Sequence, residues 1–288
     1  MTLLAIWLMM PALVVAAPQR IVSLTPSVTE TLYAVGAGAR VVGTTEFCDY
    51  PPAATRTAKV GGGLPKTVSI EAIVALRPDL VIAGADGQQP LVEQLERLGI
   101  QTLYLPTIGV EDALRMISVV GEEVGRTADA RRVVDLNRKV IAGVAARVAG
   151  QARVRVFYQV WSEPLMTAGP HTFLSELIQL AGGQNIFEDV REDWPRVAPE
   201  QVVARAPEVI LGADYEGANL SVEALRARPG WAAIPAVRHG RVVRLDGQRI
   251  SRPGPRIGQS LLLVAEALHP EVDFSDLWAV ANAVFQQP

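Results

Sequence analysis

Cysteine is almost missing from this sequence, and so are the motifs of several common enzyme classes. Cys48 is the only cysteine among 288 residues, so no disulfide can form within one chain. No Gly-x-Ser-x-Gly elbow is present, and Gly61-Gly62-Gly63 is not followed by the Gly-Lys-Ser/Thr of a phosphate-binding loop. The three histidines, His171, His239 and His269, are far apart, and no pair has the spacing of a zinc site. These absences argue against nucleotide binding and against an enzyme whose catalytic motif is continuous in sequence.

An excess of positive charge is also missing. Lysine and arginine number 27 against 30 acids, which gives a formal net charge of −3, so a partner made of nucleic acid is not expected. Apolar residues make up 49% of the chain and charged residues 20%, values typical of a folded globular protein. The length suits one large domain or two smaller lobes.

The longest apolar run lies at the start of the chain and is short. Residues 3–17 carry no charged or polar side chain, but these 15 residues fall below the roughly 20 needed to span a bilayer. The run fits the apolar core of a secretory signal and ends in small residues. We therefore predict a signal peptide over residues 1–17 and a mature chain in the periplasm, with an uncleaved membrane anchor as the alternative.

Short runs rich in β-branched residues alternate with segments of helical period along the mature chain. Such alternation predicts an α/β fold with parallel sheets. The predicted strands are 21–24, 41–44, 80–83 and 102–105, followed by 154–159, 209–211 and 242–245. After the first strand, Ser27-Val-Thr-Glu30 has the pattern of a capping box, which predicts that the side chains of Ser27 and Glu30 cap a helix start.

An internal repeat divides the chain into two related parts. Residues 68–82 match residues 197–211 at a constant offset of 129, with five identities in 15 positions. Both copies read as a short helix with an acid in its first turn, Glu71 or Glu200, followed by a proline and a buried strand. A weaker match sets Thr29-Glu30 against Ser175-Glu176. Two homologous lobes are therefore predicted.

Between the repeats, residues 127–148 contain one glycine, no proline and a helical stripe of apolar residues. A helix of this length reaches about 33 Å and can join two lobes, although packing on one lobe alone is the alternative. The predicted domains are an N-terminal α/β lobe over 18–126, a linking helix over 127–148 and a C-terminal α/β lobe over 149–288.

Several large side chains lie in turn contexts at the predicted ends of strands. Tyr50 precedes Pro51-Pro52, Trp194 precedes the second copy of the repeated helix, and Trp161 and Met166 flank Pro164. The carboxyl ends of parallel strands border the crevice in which α/β folds bind ligands. Each of these side chains is a candidate for ligand contact, with a place in the core of its own lobe as the alternative.

Five segments together resemble a known family. They are Arg20-Ile-Val-Ser-Leu-Thr-Pro-Ser-x-Thr-Glu30, Asp49-Tyr-Pro-Pro52, Ile70-Glu-x-Ile-Val-Ala-Leu-x-Pro-Asp-Leu-Val-Ile82, Gly182-Gly-x-Asn-Ile-Phe187 and Trp194-Pro-x-Val-x-x-Glu-Gln-Val-x-Ala-Arg-x-Pro207. Over roughly residues 20–268, the sequence is similar to the periplasmic cobalamin-binding proteins of the helix-linked, or class III, substrate-binding proteins. These proteins serve ATP-driven (ABC) importers, and their class also includes haem and siderophore binders.

The resemblance implies a non-enzymatic, monomeric protein that captures cobalamin or a related corrinoid between two lobes, with no intrinsic cofactor. It implies ligand contacts at Tyr50 and Trp194, and docking of Glu71 and Glu200 on arginines of a permease dimer in the inner membrane. Trp161 is a further candidate contact. The family pattern has aromatics in the Leu64-Pro65 region and at Gly84 and Met166, so Pro65, Gly84 and Met166 are the candidate contacts at which this chain departs from it.

The alternatives are a haem- or siderophore-binding protein of the same fold, with Tyr50 as an iron ligand in the haem case, and a periplasmic enzyme.

Overall fold

The computed structural model describes residues 16–63, 65–214 and 220–286. The predicted signal peptide therefore lies outside the described residues, apart from its last two positions. Two sheets and their helices organise the rest. The part before the long central helix is called here the N-terminal half, and the part after it the C-terminal half.

The N-terminal half is built on a sheet in which all neighbouring strands run parallel. Its strands are β1 (Ile21–Ser23), β2 (Val41–Thr44), β3 (Ala58–Lys59), β4 (Leu80–Ala83) and β5 (Thr102–Tyr104), in the order β3-β2-β1-β4-β5. All residues of the central strands β1 and β4 are fully buried because helices cover both faces, which explains why these strands are apolar except for Ser23.

The C-terminal half repeats this plan and adds one antiparallel strand. Its strands are β6 (Val154–Ser162), β7 (Leu165–Thr167), β8 (Gly183–Asn185), β9 (Val209–Ala213) and β10 (Val242–Leu245). The order is β10-β9-β6-β7, and β8 also pairs with β6. The start of β6 is parallel to β8 and β9, whereas its end forms an antiparallel hairpin with β7. Strand β6 is thus longer than the predicted strand and extends through Trp161.

Helices connect and cover the strands. In the N-terminal half they are α1 (Pro26–Ala34), α2 (Ile70–Ala75), α3 (Gln89–Arg97) and α4 (Val110–Glu123), followed by the central helix α5 (Thr127–Val148). In the C-terminal half they are α6 (Phe173–Leu180), α7 (Pro199–Arg205), α8 (Val222–Arg226), α9 (Pro235–Arg238), α10 (Gly247–Ile250), α11 (Ile257–Leu268) and α12 (Ser275–Asn282). No helix of these described residues is long and apolar enough to cross a membrane.

The two copies of the internal repeat have equivalent local structures. Helix α2 precedes β4 as α7 precedes β9, and Arg77 and Ala206 at matching positions both adopt positive φ, 47° and 43°. The carboxylate of Asp79 accepts a hydrogen bond from the Arg20 amide before β1, and that of Glu208 accepts one from the Arg155 amide in β6. The same helix, turn and carboxylate therefore brace the central strand in each half.

Helix α5 has the predicted bounds and contacts both halves. Its apolar stripe is buried against α4 of the N-terminal half and against α11 and α12 of the C-terminal half. The side chain of Asn137 within this stripe donates to the Pro255 carbonyl and accepts from the Gly258 amide. The predicted α/β architecture, with parallel-sheet cores joined by one long helix, is confirmed.

The predicted capping box at the start of α1 is wrong. The helix begins at Pro26, Thr25 occupies the N-cap position, and no side chain caps it. Glu30 is fully buried and forms ion pairs with Arg252 and Arg256 of the C-terminal half. A capping interaction is worth about 1 kcal/mol, and hydrogen bonds to charged groups are stronger, so the distant arginines compete successfully for this carboxylate.

Candidate functional site

A cavity of about 510 Å³ lies between the two halves. The N-terminal half lines it with residues at and after the ends of β4 and β5, among them Gly84, Tyr104 and Ile108. The C-terminal half lines it with Tyr158 of β6, the start of α6 and the loop that contains Trp194. The cavity is therefore bordered by the carboxyl ends of strands of both sheets, where α/β folds bind their ligands.

Trp194 is fixed on the cavity wall by hydrogen bonds between two neighbouring loops. The Gly169 amide donates to the Asp193 carbonyl over 2.8 Å, and the Thr167 amide donates to the Pro195 carbonyl over 3.1 Å. A Cβ atom at Gly169 would lie 1.9 Å from the Glu192 carbonyl oxygen, so only glycine permits this approach. The side chain of Trp194 is left 49% exposed and available to a ligand.

Gly84 lines the cavity from the N-terminal half, and its surroundings explain why no ring stands there. A Cβ atom at this position would lie 2.6 Å from the carbonyl oxygen of Leu105. The side-chain carbonyl of the buried Gln88 accepts hydrogen bonds from the amides of Gly84 and Ala85, and its amide donates to the Leu24 carbonyl. The loop after β4 is held too close to β5 for a side chain.

Tyr50 is not among the cavity-lining residues of the described chain. The guanidinium of Arg256 lies over its ring, 4.1 Å from the centroid, and the ring of Phe285 meets it edge-on at 5.1 Å. Phe285 belongs to the C-terminal end of the chain, which returns past α5 to the N-terminal half. Tyr50 thus packs where the two halves meet, beside the ion pairs of Glu30.

Trp161 and Met166 are paired across the β6–β7 hairpin, and neither is among the cavity-lining residues, although Val160 next to Trp161 is. Trp161 is 56% exposed, and its indole N–H donates to the Glu163 carbonyl over 2.8 Å. It lines a separate surface depression together with Glu163 and Arg228. Pro65 lies in a short 3₁₀ turn, Pro65–Thr67, and Leu64 is outside the described residues.

Glu71 and Glu200 occupy the first turns of the equivalent helices α2 and α7, and both are exposed. The Ser69 hydroxyl donates to the Glu71 carboxylate over 2.9 Å. A hydrogen bond from its own backbone amide and the bond from Ser69 lower the pKa of Glu71. The two acids therefore share the second position of equivalent helices, one in each half, and Glu71 is in addition bound by Ser69.

A cluster of buried and half-buried charges joins the halves beside the cavity. Arg256 donates to both carboxylate oxygens of Glu30, over 2.8 and 2.6 Å. Arg252 donates to Glu30 over 3.2 Å and to Asp49 over 2.6 Å. Burial alone would raise the pKa of Asp49, but the hydrogen bond and the charge of Arg252 outweigh burial and lower it. Ser251 and Pro253, the neighbours of Arg252, line the cavity, so this cluster also holds part of the cavity wall.

Tyr104, Tyr158 and His171 are cavity residues that sequence reasoning did not select. Tyr104 and Tyr158 lie in predicted strands, and alternation along those strands is the signal that could have found them. His171 is the imidazole of the cavity and lies beside the loop of Trp194. Across residues 16–63, 65–214 and 220–286, no three His, Cys, Asp or Glu side chains lie close enough together to hold a metal ion.

Comparisons with known proteins agree with this geometry. The family model described as periplasmic binding protein matches residues 21–249. The chain is 34% identical over 259 residues to the vitamin B12-binding protein of Salmonella paratyphi A, covering 88% of this chain and 91% of that protein.

Solved structures of the same fold include two that are named as ligand-binding periplasmic proteins. The periplasmic vitamin B12-binding protein BtuF of Vibrio cholerae has a TM-score of 0.76 and 28% identity, covering 88% of this chain and 98% of that one. The periplasmic haem-binding protein RhuT of Roseiflexus sp. RS-1 has a TM-score of 0.77 and 27% identity, covering 87% and 99%. The resemblance found in the sequence is confirmed, and the fold is that of the class III proteins. With a family model over most of its length and a relative above 30% identity, the chain belongs to the periplasmic binding protein family.

Proposed function

We propose that this chain is a periplasmic substrate-binding protein that captures a corrinoid, either cobalamin or a precursor of it, between its two halves. The cavity between the halves carries the proposal, because it combines Trp194, Tyr104 and Tyr158 with largely uncharged walls. A corrin ring has broad apolar faces that suit aromatic and aliphatic walls, and its fringe of amides suits a hydroxyl group such as that of Thr107. The likeness to vitamin B12-binding proteins supports the same ligand class.

A titration of the apoprotein tests this function. Cobalamin, cobinamide and hemin are added separately to the purified mature chain, and binding is followed by calorimetry and by visible absorption. We expect tight, stoichiometric binding of a corrinoid. Tight binding of hemin together with no binding of either corrinoid would show that the proposal is wrong.

Haem is the second candidate ligand, and His171 is the observation that favours it. An imidazole in a cavity lined by aromatic rings is a common axial ligand of haem iron. The phenol ring of Tyr50, by contrast, lies under Arg256. If hemin is the ligand, the substitution His171→Ala should change the visible spectrum of the complex, whereas Tyr50→Phe should leave it unchanged.

We further propose that the protein delivers its ligand to an ABC importer of the inner membrane through Glu71 and Glu200. Both carboxylates are exposed in the first turn of equivalent helices, so they form a matched pair. The positive end of a helix also favours an acid at this position, but that effect acts on each helix alone and does not require a pair. A permease dimer with twofold symmetry would offer two matching arginine sockets, and arginine binds carboxylates in a bidentate fork.

The remaining features of the proposal rest on the sequence and on its resemblance to the family. Residues 1–17 direct export and are removed, and the mature chain consists of the lobes 18–126 and 149–288 joined by α5. It acts as a monomer without an intrinsic cofactor and without catalysing a reaction. The family assignment supports the periplasm as its compartment.

A further inference from the structure

Two acids at equivalent places in the two halves each bind the opposite half. Glu30 lies in α1, and Glu176 lies at the matching place in α6, 146 residues later. The Glu30 carboxylate binds Arg256 of the C-terminal half, as described above. The Glu176 carboxylate accepts a hydrogen bond of 2.7 Å from the Val110 amide of the N-terminal half. The two contacts thus cross between the halves in opposite directions.

The two acids are bound at equivalent places, the starts of helices α4 and α11. Gly109 is the N-cap residue of α4, and Arg256 is the N-cap residue of α11, 147 residues later. Because Gly109 has no side chain, Glu176 reaches the first backbone amide of α4 directly. At the matching place the guanidinium of Arg256 takes up Glu30 instead. One contact is therefore an ion pair, and the other is a carboxylate at the positive end of a helix.

Both contacts stand directly beside the cavity. Ile108 and Pro253, which line it, lie within three residues of Gly109 and Arg256 in sequence. Phe173 and Leu174, which also line it, open the helix that carries Glu176. A rotation of one half against the other about α5 would have to stretch at least one of these short contacts.

We propose that Glu30 and Glu176 are positioning residues that fix the angle between the halves and hence the width of the ligand cavity. This inference deepens the proposed function, and the binding experiment that tests it depends on that function. The two contacts join the halves at two separate places, the starts of α4 and α11, whereas a single contact would leave a point about which the halves could pivot. A gap of preset width suits a rigid, flat ligand, because such a ligand cannot adapt its shape while it binds.

The variants Glu30→Gln and Glu176→Gln weaken each contact without changing side-chain volume. Gly109→Ala is an independent probe of the second contact, because a Cβ atom there would lie 2.6 Å from Oε2 of Glu176. Its backbone angles, φ −128° and ψ −176°, suit alanine. Glu208→Gln is the matched control, since Glu208 also accepts a backbone hydrogen bond, over 2.9 Å from Arg155, but within one half.

The direct measurement is a distance distribution between two spin labels, one on each half. Cysteines introduced at the exposed residues Glu93 and Glu223 in a Cys48→Ser background carry the labels. We expect one narrow distribution in the parent protein and in Glu208→Gln. The double variant Glu30→Gln/Glu176→Gln should give a broader distribution without ligand, and Gly109→Ala a smaller broadening.

The ligand arm uses cobinamide, titrated by calorimetry into the same proteins. We expect the double variant to bind roughly 10-fold to 100-fold more weakly than the parent and its distance distribution to narrow again when cobinamide is bound. A folded double variant whose distribution is as narrow as that of the parent would overturn the inference. If the double variant does not fold, Glu176→Gln and Gly109→Ala decide in the same way, because each weakens only the contact between Glu176 and the Val110 amide.

The role of Glu30 and Glu176 and the proposed corrinoid-binding function can be refuted independently of each other. The distance distribution of the ligand-free protein needs no ligand, so it tests the contacts even if no corrinoid binds. Cobinamide binding by the parent combined with unchanged distributions in all variants would refute the inference alone.

Discussion

Replacing Trp194 by alanine tests most directly where the ligand binds. The side chain is 49% exposed on the cavity wall. About half of a tryptophan surface of roughly 250 Å² is thus available, and covering ~120 Å² at ~25 cal/mol per Å² would stabilise a complex by about 3 kcal/mol. A flat ligand covers mainly one face of the ring, so we expect a loss of about 1 to 3 kcal/mol, or ~5-fold to ~150-fold in Kd.

Trp161→Ala is the matched control for this substitution. Trp161 is 56% exposed, so its replacement by alanine removes an exposed surface comparable to that of Trp194. It lines a separate depression and is not among the residues that line the cavity. We expect its Kd to stay within about twofold of the parent value. Calorimetric titration with cobalamin and cobinamide gives the Kd values, and circular dichroism with thermal unfolding shows that both variants keep the fold.

Two results would refute this reasoning. If Trp194→Ala binds as tightly as the parent, the cavity between the halves does not contribute the aromatic contact that we assign to it. If Trp161→Ala loses as much affinity as Trp194→Ala, the ligand extends over the β6–β7 hairpin and the site is wider than the cavity.

The remaining predictions concern the partner, the motion and the acid stability. Changing Glu71 and Glu200 together to arginine should leave Kd within about threefold but abolish uptake by cells, since like charges would face the permease arginines; undiminished uptake would assign both acids to their helices alone. Solution scattering should give nearly the same radius of gyration with and without ligand, because α5 and the Glu30 and Glu176 contacts join the halves; a large decrease would contradict this. The lowered pKa of Asp49 means that its contribution to stability is present above its unfolded pKa of about 3.8 and is lost as the pH falls below it. Asp49→Asn should therefore make the free energy of unfolding, measured with urea between pH 3 and 6, less dependent on pH at the acid end, by less than about 1 kcal/mol because the carboxylate is partly exposed.

The features of the fold that follow from local patterns could be predicted from the sequence. The bounds of α5 and of several strands follow from apolar periodicity and from proline and glycine positions, which act within a few residues. The offset of the repeat also placed Glu71 and Glu200 correctly in the first turns of α2 and α7. These features require no knowledge of distant partners.

Contacts between residues that are far apart along the chain could not be predicted from the sequence. Glu30 fits a local capping pattern, yet its partner Arg256 is 226 residues away. The ring of Tyr50 meets Arg256 and Phe285 for the same reason: the C-terminal end of the chain returns to the first half, and nothing near residue 50 indicates that return. The competition between a weak local interaction and a stronger distant one is decided only in the folded protein.

The distribution of rings around the cavity bears on how a ligand enters. Among the cavity residues, the N-terminal half contributes Tyr104, and the C-terminal half contributes Tyr158, Phe173 and Trp194. At Gly84, the position from which the N-terminal half would present another ring, the carbonyl of Leu105 leaves no room for a side chain. Most aromatic contact therefore comes from one half, and a flat ligand would gain most of its apolar contact there before the other half touches it. Since Glu30 and Glu176 already hold the N-terminal half in place, that half needs only to border the gap, which fits a binding protein that changes shape little when its ligand arrives.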